Sequence, residues 1–233
     1  SEFRAFLEHL DGVSCPVVFL GDIFQLWIAL PDYEERLHHD FLQWCRDQQR
    51  EVGWVDGNRE YFVSDTHADA FAWSTDANHQ RGRDLFCHGD LVNVGDKRYR
   101  YFRKALRNPL SRFILCHCPL GKRLALRAEV TMRSANRAFS KRLPEEQLRQ
   151  FVSTGVPADI RRVFMGHFHK FKVLSSSPAA RELILVPAWC EEGRVLFCDG
   201  DREPRAIPWR EVPQTGLGTP CGDNGRAMPG TSE

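Results

Sequence analysis

Four short apolar runs along the chain each lead into glycine and polar side chains. The runs cover residues 16–20, 52–55, 84–87 and 162–165, and they lead into Gly21-Asp22, Asp56-Gly57-Asn58, His88-Gly89-Asp90 and Gly166-His167-Phe168-His169. Apolar runs of this length that end at turn residues are typical of strands buried on both faces. The pattern therefore predicts four buried strands, each ending at side chains able to bind a metal.

Helical patterns accompany these strands. Residues 3–10 predict one helix, and residues 33–49 predict a second, whose apolar positions include Phe41, Leu42 and Cys45. Residues 183–188 and 194–198 predict two late strands. Strand, helix and strand with polar residues at the strand ends predict an α/β core, with its functional site beyond the carboxyl edge of a sheet.

The pattern changes after the third run. Residues 96–150 are predicted to be helical, with breaks at Asn108-Pro109 and Pro119-Leu120-Gly121, whereas residues from 213 onward are rich in Gly, Pro and Thr and predict a disordered tail. The expected organisation is a core at 1–95, a helical insertion at 96–150, a second part of the core at 151–212 and a tail at 213–233.

Charge is distributed unevenly along the chain. The net charge is only +1, yet residues 97–142 contain fourteen Lys or Arg against one carboxylate, Glu129. A basic segment with an apolar side suits a cap over an amphiphilic, phosphorylated ligand or an anionic membrane surface. A solvated helical face, or packing of the insertion onto its own core, would give the same pattern. Nucleic acid is not expected, because aromatic residues for stacking are few.

The overall composition is ordinary for a soluble globular protein, with 42% apolar and 27% charged residues. The eight cysteines form no spaced framework. Reduced thiols in a cytoplasmic protein are the favoured interpretation, with a disulfide scaffold as the alternative.

The residue types at the four strand ends suit metal-dependent phosphate ester hydrolysis. Such chemistry uses two cations held by ligands from separate loops, with one carboxylate bridging them. Neutral imidazoles suit Mn, Fe or Zn better than Mg or Ca. For any single histidine, a place in the core or on the surface is the alternative interpretation.

In this order, the four motifs resemble the signature of the calcineurin-like metallophosphoesterases. The resemblance implies a mixed β-sheet sandwich flanked by helices, with a helical cap insertion. It also implies two divalent metal ions, Mn first and Fe or Zn as alternatives. Asp22 would bridge the two ions, His169 would bind one, and the other would be completed by Asn58, His88 and His167.

Further features are similar to one family within this group, the UDP-2,3-diacylglucosamine hydrolases of lipid A biosynthesis. Gly57-Asn58 continues with Arg59-Glu60 rather than with histidine, and residues 21–28 are similar to that family's segment around the bridging aspartate. The resemblance implies cleavage of a UDP-linked lipid to UMP and a lipid monophosphate, by a cytoplasmic protein peripheral to the inner membrane. The implied catalytic residues are Asn58, Arg59 and His88, and the implied substrate-binding residues are Arg59, Asp96, Ser134 and Lys141.

Arg59 has a physical reason to favour a diphosphate. The guanidinium of arginine is permanently charged and binds phosphate oxygens. Its planar N–H donors match the geometry of two such oxygens. UMP is a better leaving group than an alkoxide, so a general acid is less needed. An ion pair between Arg59 and Glu60 is the alternative.

One part of the family pattern is missing from this sequence. Members begin with a strand ending in Asp-x-His, and no such motif precedes Gly21-Asp22. A truncated product is the favoured explanation; a degenerate homologue with one incomplete metal site, or ligands from elsewhere, are the others. Asp65-Thr66-His67 imitates the motif in the wrong order, and Ser64-Asp65 is interpreted as a helix N-cap instead. A general phosphoesterase and a non-catalytic binding scaffold remain as alternative functions.

Overall fold

The computed structural model describes residues 2–92, 97–118, 143–176, 181–200 and 202–214, without the side chains of 97–99, 102 and 176. The helices, numbered among these residues, are α1 Glu2–Asp11, α2 Arg36–Asp47, α3 Val63–Thr66, α4 Lys97–Leu106, α5 Pro109–His117, α6 Glu145–Thr154 and α7 Trp189–Glu192, with 3₁₀ turns at Ala68–Ala70 and Trp209–Glu211. The strands are β1 Val17–Phe19, β2 Trp27–Ile28, β3 Val52–Val55, β4 Glu60–Tyr61, β5 Trp73–Thr75, β6 Asn78–Arg81, β7 Asp84–Cys87, β8 Arg162–Met165, β9 Lys172–Ser176, β10 Arg181–Leu185, β11 Arg194–Phe197 and β12 Arg205–Pro208.

Two main sheets contain the strands predicted from the apolar runs. The first has the order β1-β3-β5 and is parallel throughout. The second has the order β6-β7-β8-β10-β9, in which β7, β8 and β10 are parallel and the two edge strands run antiparallel to their neighbours. The predicted strand ends therefore come in two pairs, at β1 and β3 of one sheet and at β7 and β8 of the other.

Alternation along the strands explains how the two sheets pack together. Val55 of the first sheet meets Phe164 and Ile184 of the second in one buried cluster. Their sequence neighbours point the opposite way, because successive side chains of a strand alternate between faces. Trp54 joins a core cluster that includes residues of α1 and α2. Val163 joins another that includes residues of α6.

The layers are thus helices, sheet, sheet and helix. Phe41 of α2 and Trp54 of β3 are fully buried on one side, and Leu148 of α6 is fully buried on the other. Burying each of these side chains contributes about 2–3 kcal/mol relative to leaving it exposed. The α/β class and the mixed β-sheet sandwich flanked by helices are confirmed.

The described part of the basic segment, residues 97–118, contains two helices that meet at a predicted break. The side chain of Asn108 accepts a hydrogen bond from the backbone N–H of Ser111 at 2.9 Å, and Pro109 occupies the first turn of α5. Both residues favour a helix start, so the break at Asn108-Pro109 is confirmed. The second predicted break lies outside the described residues.

The predicted boundary at residue 150 falls inside a helix. Helix α6 runs through it, and its Leu148 and Val152 pack against the second sheet. The division of the chain into core, insertion and tail stays a prediction. Within the described ranges, none of the helices combines the length and the apolar character needed to cross a membrane.

Candidate metal centre

Side chains from the ends of four strands converge where the two sheets meet. Asp22, His88 and His167 each offer a ligand atom, and these atoms lie within 4.8 Å of one another. The Oδ1 atom of Asn58 lies 3.1 Å from Nε2 of His88 and 3.1 Å from Nδ1 of His167. Among the predicted ligands, the structure therefore brings these four together.

The ring proton of His88 that donates to the backbone is on Nδ1, which faces away from Asp22, Asn58 and His167. Nδ1 of His88 donates to the carbonyl oxygen of Leu20 at 2.7 Å, which leaves the lone pair of Nε2 facing Asn58 Oδ1 and, at 3.7 Å, Asp22 Oδ2. A second hydrogen bond of this kind fixes the tautomer of metal-binding histidines. His88 is thus oriented as a ligand.

The amide of Asn58 turns its acceptor, rather than its donor, towards this group. Its Oδ1 faces Nε2 of His88, which is an acceptor when Nδ1 holds the ring proton, while its Nδ2 is buried without a partner among the described residues. Nδ1 of His167 lies 3.1 Å from Asn58 Oδ1 and 3.3 Å from His88 Nε2, and its one proton can serve only one of these two acceptors well. A cation between the acceptors would offset the remaining repulsion, so the residues present fit a divalent metal.

The environment of His167 keeps its imidazole neutral. Burial, and then the neighbouring His88, lower the pKa of His167 to about 4. A neutral imidazole is the form that binds a metal. His167 and Asp22 both have backbone φ values in the left-handed region, 59° and 57°. Such strain costs on the order of 1–3 kcal/mol per residue and is concentrated at functional sites.

Gly21 lets two of the ligand turns, meaning the turns that carry the four converging residues, approach each other. They are the turn that carries Asp22 and the turn that carries Asn58. The φ of Gly21 is 77°, and a Cβ atom there would lie 2.4 Å from the backbone of Gly57 and 2.8 Å from Nδ1 of His88. Only glycine combines this conformation with this contact.

Replacing Gly21 with alanine is therefore expected to destabilise the fold by about 2–5 kcal/mol, measured as the free energy of urea unfolding. Gly82 is a matched control, because its φ is 58° and a Cβ atom there would meet nothing within 4 Å. Gly82→Ala should cost only about 1 kcal/mol. Equal losses in the two variants would contradict the close approach.

Glu60 binds the backbone of the turns that carry Asp22 and Asn58. It was not among the predicted site residues. Its carboxylate is fully buried and accepts backbone N–H groups of Asp22 at 2.8 Å, Gly57 at 3.0 Å and Phe24 at 3.3 Å. Burial, and then the charge of Asp22, raise the pKa of Glu60. The available signal was an acidic residue directly after a ligand turn.

Arg59 lies beside the metal group. Its backbone N–H donates to Asp22 Oδ1 at 3.1 Å, and its Nε lies 3.7 Å from Asp22 Oδ2. The side chain of Arg59 is 32% exposed, so it faces both Asp22 and solvent. The alternative pairing with Glu60 is not observed, because backbone amides occupy that carboxylate.

His169 stands apart from the four converging residues. Its Nδ1 lies 2.9 Å from Oε1 of Glu191, and it does not belong to the group formed by Asp22, His88 and His167. The structure therefore does not bring His169 together with the other predicted ligands. The predicted substrate residues Asp96, Ser134 and Lys141 lie outside the described ranges.

The segment that imitates Asp-x-His has other contacts. Nε2 of His67 lies 2.7 Å from Oε1 of Glu34, and Asp65 is exposed. The N-cap interpretation of Ser64-Asp65 is wrong: α3 begins at Val63, and its N-cap residue is Phe62, which makes no side-chain capping hydrogen bond. The buried carboxylate of Asp56 instead accepts the backbone N–H of Ser64 at 3.1 Å and its hydroxyl at 2.9 Å. The seven described cysteines are free thiols.

Comparison with known proteins extends the resemblance along the chain. No protein-family model matches it. It is similar to the UDP-2,3-diacylglucosamine hydrolase of Pasteurella multocida, with 25% identity over 90% of this chain and 91% of the relative. The enzymes of that name from Pseudomonas putida F1 and Pseudomonas fluorescens Pf-5 are 28% and 29% identical over 84% of this chain, covering 88% and 84% of their own lengths.

Solved structures add little. A crystal structure of a Vps29 single mutant from Entamoeba histolytica covers 82% of this chain and 97% of its own, with 10% identity and a TM-score of 0.29. The similarity predicted from the motifs is confirmed by the curated relatives.

Proposed function

We propose that the chain is a metal-dependent hydrolase that cleaves the diphosphate of UDP-2,3-diacylglucosamine into UMP and 2,3-diacylglucosamine 1-phosphate. The observation that carries this proposal is the convergence of Asp22, Asn58, His88 and His167, with Arg59 beside them. Similarity to curated hydrolases named for that substrate, along 84–90% of this chain, supports the choice of substrate.

The donor set favours a transition metal. One carboxylate, one amide oxygen and two neutral imidazoles suit Mn, Fe or Zn, and Mn is the metal we propose. A bound divalent cation lowers the pKa of water and withdraws charge from phosphoryl oxygens. A second cation, which the family resemblance implies, would be held by Asp22 and His169.

The residues of the chain would position the diphosphate and neutralise its charge. The guanidinium of Arg59 faces both Asp22 and solvent, so a phosphate oxygen can reach it from outside. Arginine stays protonated and therefore stabilises charge rather than donating a proton. Water gives up one proton to the solvent as its oxygen bonds to one phosphorus, the bridging P–O bond of the diphosphate breaks, and the bonding electrons leave with the other phosphate. Because that phosphate is a weak base, no general acid is required.

The surface of α4 and α5 suits the lipid part of the substrate or a membrane surface. Tyr101 is 78% exposed, Leu110 66% and Phe113 59%, with basic Arg100 and Lys104 nearby on α4. Apolar side chains flanked by cations fit acyl chains attached to a phosphorylated head group. The substrate contacts of Asp96, Ser134 and Lys141 remain part of the proposal.

Substrate preference tests this function. The protein with Mn²⁺ is incubated with UDP-2,3-diacylglucosamine, with UDP-N-acetylglucosamine or with p-nitrophenyl phosphate, and kcat/KM is measured from release of UMP, or of p-nitrophenol for the last substrate. The lipid substrate should be favoured over either soluble one by on the order of 10²-fold or more, since burial of four methylene groups contributes about 3 kcal/mol. Equal rates on all three would favour a general phosphoesterase. Metal binding without turnover of any substrate would favour a binding scaffold.

A further inference from the structure

Two arginines at the C-terminal end of α4 point towards the ligand turns. Arg103 lies in the last turn of α4, and Arg107 is the first residue beyond the helix. The backbone N–H of Arg107 donates to the carbonyl oxygen of Arg103 at 3.1 Å, so the four-residue spacing still places both side chains on one side. Their side chains are 13% and 8% exposed, whereas Arg100 and Lys104 of α4 are exposed. Burying two guanidinium groups is costly unless each finds acceptors.

Arg107 finds its acceptors in the backbone of the turn that presents Asn58 and Arg59. Its Nη2 donates to the carbonyl oxygen of Glu60 at 2.9 Å and also to that of Gly57. These carbonyls lie on either side of Asn58 and Arg59. Nη1 donates to the carbonyl oxygen of Asp76 at 3.3 Å, so the same guanidinium ties the turn to the β5–β6 connection.

Arg103 makes a parallel connection to the next ligand turn. Its Nε lies 2.7 Å from Oδ2 of Asp90, two residues beyond His88, and its Nη2 donates to the carbonyl oxygen of Asp76 at 2.8 Å. Helix α4 is therefore fastened to both turns, one carrying Asn58 and the other carrying His88.

We propose that Arg107 is a positioning residue for the metal centre. It touches none of the ligand atoms and acts through the backbone of the Gly57–Glu60 turn, whose shape decides where Asn58 Oδ1 and the Arg59 side chain point. The inference rests on the proposed function for its effect on turnover, but its effect on metal binding is independent of the substrate. Through the contacts of Arg107, the position of the basic helices affects the geometry of the metal centre.

Mn²⁺ affinity tests this inference directly. Arg107→Met removes the contacts with both carbonyls and keeps the aliphatic stem, and Arg36→Met removes the same charge from a side chain of α2 that is 90% exposed. Titration calorimetry should show Mn²⁺ binding about 10- to 100-fold weaker in Arg107→Met, as is usual when a partner behind the ligands is lost. Arg36→Met should bind Mn²⁺ about as tightly as the parent. Equal affinities in the two variants, or no Mn²⁺ binding by the parent, would overturn the proposal.

Turnover and folding provide the second readout. Arg107→Lys keeps a donor within reach of the turn but loses the fork, so its Mn²⁺ affinity should fall between those of the parent and Arg107→Met. For Arg107→Lys we expect kcat at saturating Mn²⁺ to fall more than tenfold while KM changes less than about threefold. Circular dichroism shows whether each variant is folded. If Arg107→Met is not folded, Arg107→Lys provides the test. Parental Mn²⁺ affinity and parental kcat in Arg107→Lys would then overturn the proposal. A parent that binds Mn²⁺ without hydrolysing the lipid would remove the proposed function and leave the affinity test standing.

Discussion

Replacing Asp22 with asparagine is expected to reduce hydrolysis of the UDP-linked lipid by on the order of 10³-fold and to weaken Mn²⁺ binding in parallel. Asp22 is the one carboxylate in the group that it forms with His88 and His167. Loss of its charge removes the anionic ligand, and a metal supplies several kcal/mol of charge stabilisation in such reactions. Asparagine retains an oxygen that can accept the Arg59 N–H, so the fold should survive. Steady-state kinetics and calorimetric titration measure the two effects.

Asp65→Asn is the matched control for that substitution. Asp65 is exposed and belongs to the segment that imitates Asp-x-His. The control should retain activity and Mn²⁺ affinity within about twofold, as surface substitutions usually do. A loss in Asp65→Asn as large as in Asp22→Asn would mean that the Asp65-Thr66-His67 segment, rather than the strand-end group, supplies the essential ligand.

Arg59→Met is expected to lower kcat on the diphosphate by about 10²- to 10³-fold while leaving Mn²⁺ affinity unchanged or higher. The magnitude is that of removing one well-placed donor from developing negative charge. The sign of the metal effect follows from the position of Nε, 3.7 Å from Asp22 Oδ2, where the guanidinium competes with a cation for the same carboxylate. Measuring kcat and Mn²⁺ affinity together distinguishes the role of Arg59 from that of Asp22, because loss of Asp22 is expected to lower both quantities.

Arg36→Met is a suitable control, because the side chain of Arg36 is 90% exposed on α2 and pairs with Asp40 of the same helix. It should behave as the parent in both assays. If Arg59→Met weakened Mn²⁺ binding as strongly as Asp22→Asn, Arg59 would be needed to shape the metal site, and its assignment to the diphosphate would fail.

The buried strands could be predicted from sequence because both of their faces are covered. Residues 52–55, 84–87 and 162–165 are continuous apolar or nearly apolar runs, and all three strands occupy those positions. Edge strands lack this signal. Strand β6 has the sequence Asn-His-Gln-Arg and is mostly exposed, so nothing in its pattern distinguishes it from a loop. The late strand predicted at 183–188 lies at Arg181–Leu185, since apolar character continues past its end.

The convergence of the site could be anticipated from the strand ends, but its supporting contacts could not. Gly21-Asp22 and Gly57-Asn58 each end a buried strand, which is a local pattern. The carboxylate of Glu60, by contrast, serves both of these turns, although they are far apart in sequence. The contacts of Arg107 depend in the same way on where α4 packs. Long-range polar contacts of this kind leave no periodic trace in the sequence.

Anomalous diffraction from crystals soaked in Mn²⁺ tests most directly whether the strand ends form a metal centre. We expect a strong peak bounded by Asp22 Oδ2, Asn58 Oδ1, His88 Nε2 and a ring nitrogen of His167, and its disappearance in Asp22→Asn crystals. Soaked crystals with no peak at this position, or with a peak only elsewhere on the molecule, would contradict a metal centre at the strand ends.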